Sequence, residues 1–149
     1  ATGSAVYIGG GDSDVIVTAN HIIGGAFSAV KVANVFSDGP STGIIVTLNT
    51  LTNNAYGVNV GLNAISATDT VQVHRNGISG NSLFGANNDS SGVVNATCNY
   101  WGASDGPGPV GPGSGDKVST GVVFSPWLHN AKLRGPCRKG DKDHNKDDE

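Results

Sequence analysis

The sequence predicts an all-β protein, and within that class a solenoid of short parallel strands. Its 149 residues include 23 glycines, 15 asparagines and a single glutamate. Helices favour Ala, Leu, Glu and Lys, whereas Gly, Asn, Thr and Val favour short strands broken by tight turns. A second observation, an irregular repeat that aligns on asparagine, selects the solenoid among all-β folds.

Four similar segments each end in an asparagine, at Asn20, Asn49, Asn76 and Asn99, with spacings of 29, 27 and 23 residues. The first of them reads Val15-Ile-Val-Thr-Ala-Asn20. After the first three asparagines come a second apolar position, a pair of small turn residues and a third short strand. Three short strands per irregular repeat are typical of one coil of a β-solenoid. The repeat therefore predicts about three to four coils.

The alternation within the first strand of each coil predicts which side chains face the core, because successive side chains of a strand point to opposite faces. The inward positions are Val15, Ile44, Val71, Val94, Val17, Val46, Val73 and Ala96. The outward positions are Ile16, Ile45, Gln72, Asn95, Thr18, Thr47, His74 and Thr97. The same alternation predicts a further inward row formed by Ala19, Leu48, Arg75 and Cys98.

Asparagine at the corner has a physical reason. It tolerates the left-handed conformation that a sharp turn needs, and its amide can bond the equivalent amide one coil away, at about 4.8 Å. We therefore expect each repeat asparagine to adopt the left-handed conformation and to join an asparagine ladder.

The composition divides the chain into four parts. Residues 1–105 carry the coils, 106–117 a Gly/Pro loop, 118–134 a closing segment and 135–149 a charged tail. Three prolines and five glycines between Gly106 and Gly115 predict an extended loop without helix or ladder strand.

The repeat and the ending together resemble a known family. The V-x-V-x-x-N repeat is similar to that of the right-handed parallel β-helix in pectate-lyase-like proteins. The ending is similar to the motif that closes this helix in secreted and surface-attached bacterial and archaeal proteins; its parts are Asn99-Tyr-Trp-Gly102, Asp105-Gly-Pro107, Gly115-Asp-Lys-Val118 and Val122-Val-Phe-Ser-Pro-Trp-Leu128. The resemblance implies a right-handed parallel β-helix with a C-terminal cap and a secreted or cell-surface location.

The two ends of such a helix are predicted to differ. A last coil exposes an apolar cross-section and unpaired strand edges, which Trp101, Phe124, Trp127 and Leu128 are suited to cover. An alternative makes the two tryptophans sugar-stacking platforms. At the other end, Ser4-Ala-Val6-Tyr-Ile8 matches the third strand of a coil, so the first coil is expected to lack a cap. Either these coils are the C-terminal part of a longer β-helix, or the open end pairs with the surface of another molecule.

The outward positions offer little catalytic chemistry. Relatives that cleave or epimerise polysaccharides place carboxylates on outward strand positions, and none of the outward positions named above is acidic. His74 beside Arg75 resembles acid and base equipment but has no carboxylate in the motif. The resemblance therefore implies a fold and no catalytic residues, and we expect no enzyme activity and no obligatory cofactor.

Two cysteines are predicted to pair. Cys98 lies in the last coil, within reach of a segment that folds over that end, and a secreted setting favours a bond to Cys137. The alternative is two free thiols. A disulfide would staple the start of the tail to the solenoid.

The tail is a candidate Ca²⁺ site. Asp141, Asp143, Asn145 and Asp147 alternate along the chain and resemble the start of an EF-hand loop. Lys146 replaces the turn glycine, however, and the bidentate Glu is missing, so a solvated or partner-docking polyampholyte is the alternative. Asn95-Ala-Thr97 is a candidate glycosylation sequon.

Charge and hydropathy exclude two classes of partner. The net charge is −3 with only nine Lys and Arg, which argues against nucleic acid, and no apolar run approaches the roughly 18 residues of a membrane span. The leading hypothesis is a non-catalytic extracellular structural or adhesive module that assembles head-to-tail into a filament through its uncapped first coil. The alternatives are the C-terminal fragment of a polysaccharide lyase, hydrolase or epimerase, and a carbohydrate-binding module.

Overall fold

A computed structural model describes residues 3–137, and in this part of the chain all regular structure is β-strand. The strands are β1 (Ser4–Ile8), β2 (Ile16–Thr18), β3 (His21–Ile23), β4 (Ser28–Val32), β5 (Ile45–Thr47), β6 (Thr50–Thr52), β7 (Tyr56–Val60), β8 (Thr70–His74), β9 (Gly77–Ser79), β10 (Phe84–Asn88), β11 (Val93–Asn95), β12 (Pro107–Pro109), β13 (Gly115–Val118) and β14 (Val122–Val123).

Consecutive strands enter three different parallel sheets and then return beside the strand three places earlier. One sheet has the order β1-β4-β7-β10-β13-β12, the second β14-β11-β8-β5-β2, and the third β3-β6-β9. Equivalent residues of successive coils pair in register, for example Val17 with Val46 and Val46 with Val73. The chain is therefore a parallel β-solenoid of about four turns, which confirms the predicted fold class.

The core lies inside these turns and consists of stacked aliphatic ladders. Val46, Val71, Val73 and Val94 are fully buried, as the alternation predicts, whereas the outward Ile16 keeps 62% of its surface exposed. The second apolar position of each repeat forms the third sheet, where Leu51 and Ile78 are likewise fully buried.

The predicted asparagine ladder is present at the corner between β2 and β3 and its equivalents. The Oδ1 of Asn49 accepts both the backbone N–H and the Nδ2 of Asn20, at 2.9 and 3.1 Å. Asn76 does the same for Asn49, and Asn99 for Asn76. Because each amide also donates to main-chain carbonyls, the buried corner carries satisfied polar groups.

The left-handed residue of this corner was predicted wrongly. The residue before each asparagine has positive φ, at 57° for Ala19, 58° for Leu48, 61° for Arg75 and 60° for Cys98. This conformation turns the chain so that the four side chains point away from the core, and Ala19 is exposed while the other three are half-buried. The predicted inward row is therefore an outer row.

A second ladder stabilises the corner between β6 and β7. Asn81 Oδ1 accepts from the N–H of Asn54, and Asp116 Oδ2 accepts both the N–H and the Nδ2 of Asn81, at 3.1 and 2.7 Å. Asp116 thus occupies the position of the next asparagine. Burial raises the pKa of this carboxyl, and the hydrogen bonds from Asn81 and Gly80 oppose that rise.

The Gly/Pro loop contains strands, contrary to the prediction. β12 pairs in parallel with β13, which begins at Gly115 inside the predicted loop. β12 is the outermost strand of its sheet, where only one side of the strand must hydrogen-bond, and proline is tolerated at such an edge. Glycine is required at 113 because a Cβ there would lie 2.1 Å from the Gly106 carbonyl oxygen.

Candidate functional site: the two ends and one outer face

The N-terminal face of the solenoid consists of β1, β2 and β3, each of which is the edge strand of its sheet. No other strand among residues 3–137 pairs with their outer sides. Three of the five core residues of this coil, Val6, Val15 and Ile22, are only partly buried, whereas Ile8 and Val17 are 3% and 6% exposed. Their equivalents one coil further along are fully or almost fully buried. Among residues 3–137, the apolar core is therefore less completely covered at this face than one coil further along.

The corner asparagine of the N-terminal face is also incomplete. Oδ1 of Asn49, Asn76 and Asn99 each accepts two hydrogen bonds from the preceding coil. Within the described residues, no donor reaches the corresponding oxygen of Asn20. The N-terminal face thus combines strand edges, apolar surface and a hydrogen-bond acceptor, Asn20 Oδ1.

The C-terminal end carries the four residues that the closing motif predicts as a cap. Trp101 is completely buried and Leu128 is 2% exposed, while Phe124 and Trp127 are partly buried against the core. The Trp127 ring lies over Gly106, where a Cβ would approach it to 2.7 Å. Since Trp101 has no accessible surface, its ring cannot stack on a sugar, which was the alternative to a capping role.

Two backbone groups of the last corner are paired with the segment that follows β14, while β14 itself is the edge strand of the five-stranded sheet. The N–H of Cys98 donates to the Pro126 carbonyl, and the N–H of Leu128 donates to the Asn99 carbonyl. In the six-stranded sheet the outermost strand is β12, in which Pro107 and Pro109 have no N–H to offer. Strand addition to β12 is therefore disfavoured.

A strap formed by residues 132–137 runs back along the outer row of left-handed residues. Its end is fixed by the Cys98–Cys137 disulfide, in which the Cα atoms are 5.6 Å apart. Arg75 Nη1 donates to the carbonyls of Leu133, at 3.3 Å, and of Gly135. Arg75 therefore anchors the strap, so the acid-base pair suggested for His74 and Arg75 does not form.

His74 has hydrogen-bonding partners of its own. Its Nδ1 lies 2.9 Å from the Thr97 carbonyl oxygen and its Nε2 lies 2.7 Å from Gln72 Oε1. Neither partner is a carboxylate. Asn95 lies on the same outer face, half-buried, and its Oδ1 accepts from Thr97 Oγ1 at 3.1 Å.

Residues 3–137 hold no cluster of three or more His, Cys, Asp or Glu side chains that could bind a metal ion. The predicted calcium ligands Asp141, Asp143, Asn145 and Asp147 lie outside the described residues. Among residues 3–137 there is also no helix long and apolar enough to cross a membrane.

The outer face of the six-stranded sheet carries a row of aromatic rings. Phe27 and Tyr56 meet edge to face with centroids 5.3 Å apart, and Tyr56 and Phe84 stack at 6.2 Å with an angle of 13° between their planes. None of the three belongs to the core cluster, and Phe27 is 42% exposed.

A polar row runs beside the rings. Tyr7, Lys31, Asn59 and Asn87 are register partners on successive strands, and Asn87 Nδ2 donates to Asn59 Oδ1 at 3.1 Å. Burial lowers the pKa of Lys31, and the nearby charge of Asp89 partly offsets this effect.

Sequence reasoning missed three of these features: the aromatic row, the Asp116 rung and the anchoring role of Arg75. The spacing could have revealed the first, because Tyr56 and Phe84 occupy equivalent positions 28 residues apart, close to the repeat length. Asp116 lacks such a signal, since the connection before it interrupts the repeat.

Comparison with known proteins adds no relative. No protein-family model, curated protein or solved structure matches the chain. The fold therefore rests on the structure, and the resemblance to pectate-lyase-like proteins remains a prediction.

Proposed function

We propose that this chain is a non-catalytic extracellular structural or adhesive module that associates end to end through its N-terminal face. The observation that carries the proposal is a difference between the first and last described coils: Val6, Val15 and Ile22 are only partly buried, whereas Trp101 and Leu128 are 0% and 2% exposed. Open strand edges are templates for pairing with another chain. A surface that combines them with apolar residues favours assembly.

Two further observations support the proposal. The outward side chains of the five-stranded sheet are aliphatic, hydroxyl, amide and imidazole groups, which lack the paired carboxylates of polysaccharide cleavage. The Cys98–Cys137 disulfide is weakly compatible with an oxidising, extracellular compartment. Head-to-tail growth into a filament is the geometry that the sequence suggested.

Electron microscopy and light scattering of the whole 149-residue chain test the proposal. We expect assemblies larger than one chain whose population rises with protein concentration. Single particles at the highest soluble concentration would contradict end-to-end association. Turnover of a uronate polymer by the purified chain would contradict the non-catalytic part, and would favour the alternative that the chain belongs to a lyase, hydrolase or epimerase.

A second candidate function, carbohydrate binding, is favoured by the aromatic row. Aromatic faces stack on sugar rings, and Phe27, Tyr56 and Phe84 present three neighbouring rings on one outer face. Tyr7 and Lys31, on the same sheet, could hydrogen-bond sugar hydroxyls.

A glycan array separates this candidate from the first. Tyr56→Ala is expected to abolish any glycan signal of the whole chain. Phe36→Ala is the matched control, because Phe36 is 76% exposed and lies outside the row. No binding by the unaltered chain, or equal loss in both variants, would argue against a glycan site on this face.

A further inference from the structure

We infer that the groove beside the strap binds an oxyanion group, such as a sulfate or a carboxylate. The strap and the outer row of left-handed residues border this groove, and three cationic side chains line it: Arg75, Lys132 and Arg134. The inference goes beyond the proposed function and does not depend on end-to-end association.

The groove has two adjoining parts. The larger part, of about 520 Å³, lies between the strap and the outer-row residues Ala19 and Leu48. The smaller part, of about 390 Å³, is lined by Thr47, Leu48, Arg75 and Arg134. Because Leu48 and Arg134 border both parts, the groove runs continuously along the outer row of the solenoid.

The groove concentrates the positive charge of the described chain. Residues 3–137 contain five Lys and Arg and seven Asp, because four of the nine cationic residues and five of the twelve acidic residues follow Cys137. Three of those five cations line the groove, and none of the seven carboxylates does. Like charges that share a groove repel each other, so a bound anion is favoured there.

The groove cations have no carboxylate partner in the described part of the chain. Arg75 donates to main-chain carbonyls of the strap, and these neutral acceptors leave its charge uncompensated. Lys132 and Arg134 are exposed, and no hydrogen bond or ion pair joins either side chain to the other described residues. An external anion is therefore free to pair with all three.

The strap brings two guanidinium groups to the same groove. Arg134 lies between Leu133 and Gly135, whose carbonyls accept from Arg75 Nη1. The disulfide described above fixes the end of the strap. A guanidinium has five N–H donors in a planar fork, so the groups that Arg75 does not use for the strap suit the oxygens of an oxyanion.

Calorimetric titration of the whole chain with sodium sulfate, at an ionic strength held constant with chloride, tests the inference. We expect saturable binding with a dissociation constant of about 1 mM, because the groove is open to solvent. Lys132→Gln and Arg134→Gln should each raise this constant by about fivefold or more, since each removes a charged donor. The matched control is Lys117→Gln, which removes the same formal charge from an exposed position on β13 outside the groove and should leave the constant unchanged.

Sulfated dextran and unsulfated dextran separate the two sources of the oxyanion. If sulfated dextran binds more tightly than free sulfate, and loses this binding in Arg134→Gln, the groove holds a group carried by a polymer. Equal affinity per sulfate group would identify a free ion as the ligand of the same site.

Three results would overturn the inference. They are the absence of saturable binding to either probe, binding that ignores both Lys132→Gln and Arg134→Gln, and equal weakening by Lys117→Gln, which would indicate general charge attraction. Thermal unfolding shows whether each variant keeps its fold. Since none of these measurements depends on the oligomeric state, failure of end-to-end association and failure of the anion site are distinguishable.

Discussion

The first and last of the described coils are built on the same repeat, yet their core residues are buried to different extents. At the C-terminal end, Trp101 and Leu128 seal the core and β12 supplies an edge with two prolines. At the N-terminal face, Val6 and Ile22 remain partly exposed beside β1, β2 and β3, which are edge strands among the described residues. The repeat thus determines the interior of the stack, whereas additional, non-repeating sequence determines whether an end is closed.

Truncating Trp101 at the C-terminal end should have the largest effect on stability. Trp101→Ala removes a fully buried indole, and we expect the free energy of unfolding to fall by about 3–5 kcal/mol. Ile22→Ala at the N-terminal face is the counterpart and should cost clearly less, since its side chain keeps part of its hydration in the folded chain. Urea unfolding measures both. Equal losses would show that the N-terminal face is as well covered as the C-terminal end.

Releasing the strap should have the next largest effect. Replacing both Cys98 and Cys137 by serine removes a cross-link between residues 39 apart, and the expected loss is roughly 2–4 kcal/mol. Hydrogen exchange should quicken around Leu128 and the strap and change little in β4 and β5. The unaltered chain in reductant is the control. Faster exchange spread evenly over both ends would contradict a local role for the strap.

The asparagine ladder should show the same asymmetry on a smaller scale. Asn76 is fully buried with its amide satisfied on both sides, so Asn76→Ala should cost about 1–3 kcal/mol. Asn20→Ala at the N-terminal face should cost less, because its Oδ1 has no donor among the described residues and its side chain is exposed. Thermal unfolding of the two variants under conditions that keep the chain monomeric measures the difference.

The interior of the solenoid could be predicted because its physics is local and periodic. Alternation places Val46 and Val73 inward, and the spacing of the asparagines places their amides one above another. The place of β1 beside β4 followed from the match between Ser4–Ile8 and a third strand.

The corner and the strap could not be predicted in this way. Nothing in the residue types of Leu48, Arg75 or Cys98 indicates positive φ, since only glycine and asparagine adopt it readily. The sharp bend before each laddered asparagine imposes that conformation, and it turns Arg75 outward to meet the strap. The strand at Pro107–Pro109 was missed because proline argues against a ladder except at an edge, and only the topology shows which strand is the edge.

The smallest predicted effect concerns Asp116, the rung of the second ladder at the closed end. Because burial raises its pKa above the ordinary value of 3.8, the folded chain holds this proton more tightly than the unfolded chain does. Stability from the protonated form is therefore present below that value and is lost as the pH rises through the raised pKa. Asp116→Asn keeps an acceptor for Asn81 and removes the charge, so it should leave stability almost unchanged at pH 3 and increase it at pH 7.

Chemical unfolding at the two pH values measures this effect, and Asp38→Asn is the control because it removes the same formal charge from an exposed loop. If Asp116→Asn instead destabilises the chain at pH 7, the bonds that Asn81 donates to the charged carboxylate outweigh its desolvation. In that case the ionised Asp116 carboxylate would stabilise the second ladder. If Asp116→Asn stabilises the chain at pH 7 as expected, the ionised Asp116 lowers the free energy of unfolding near neutral pH. Among residues 3–137, the N-terminal face has no corresponding carboxylate.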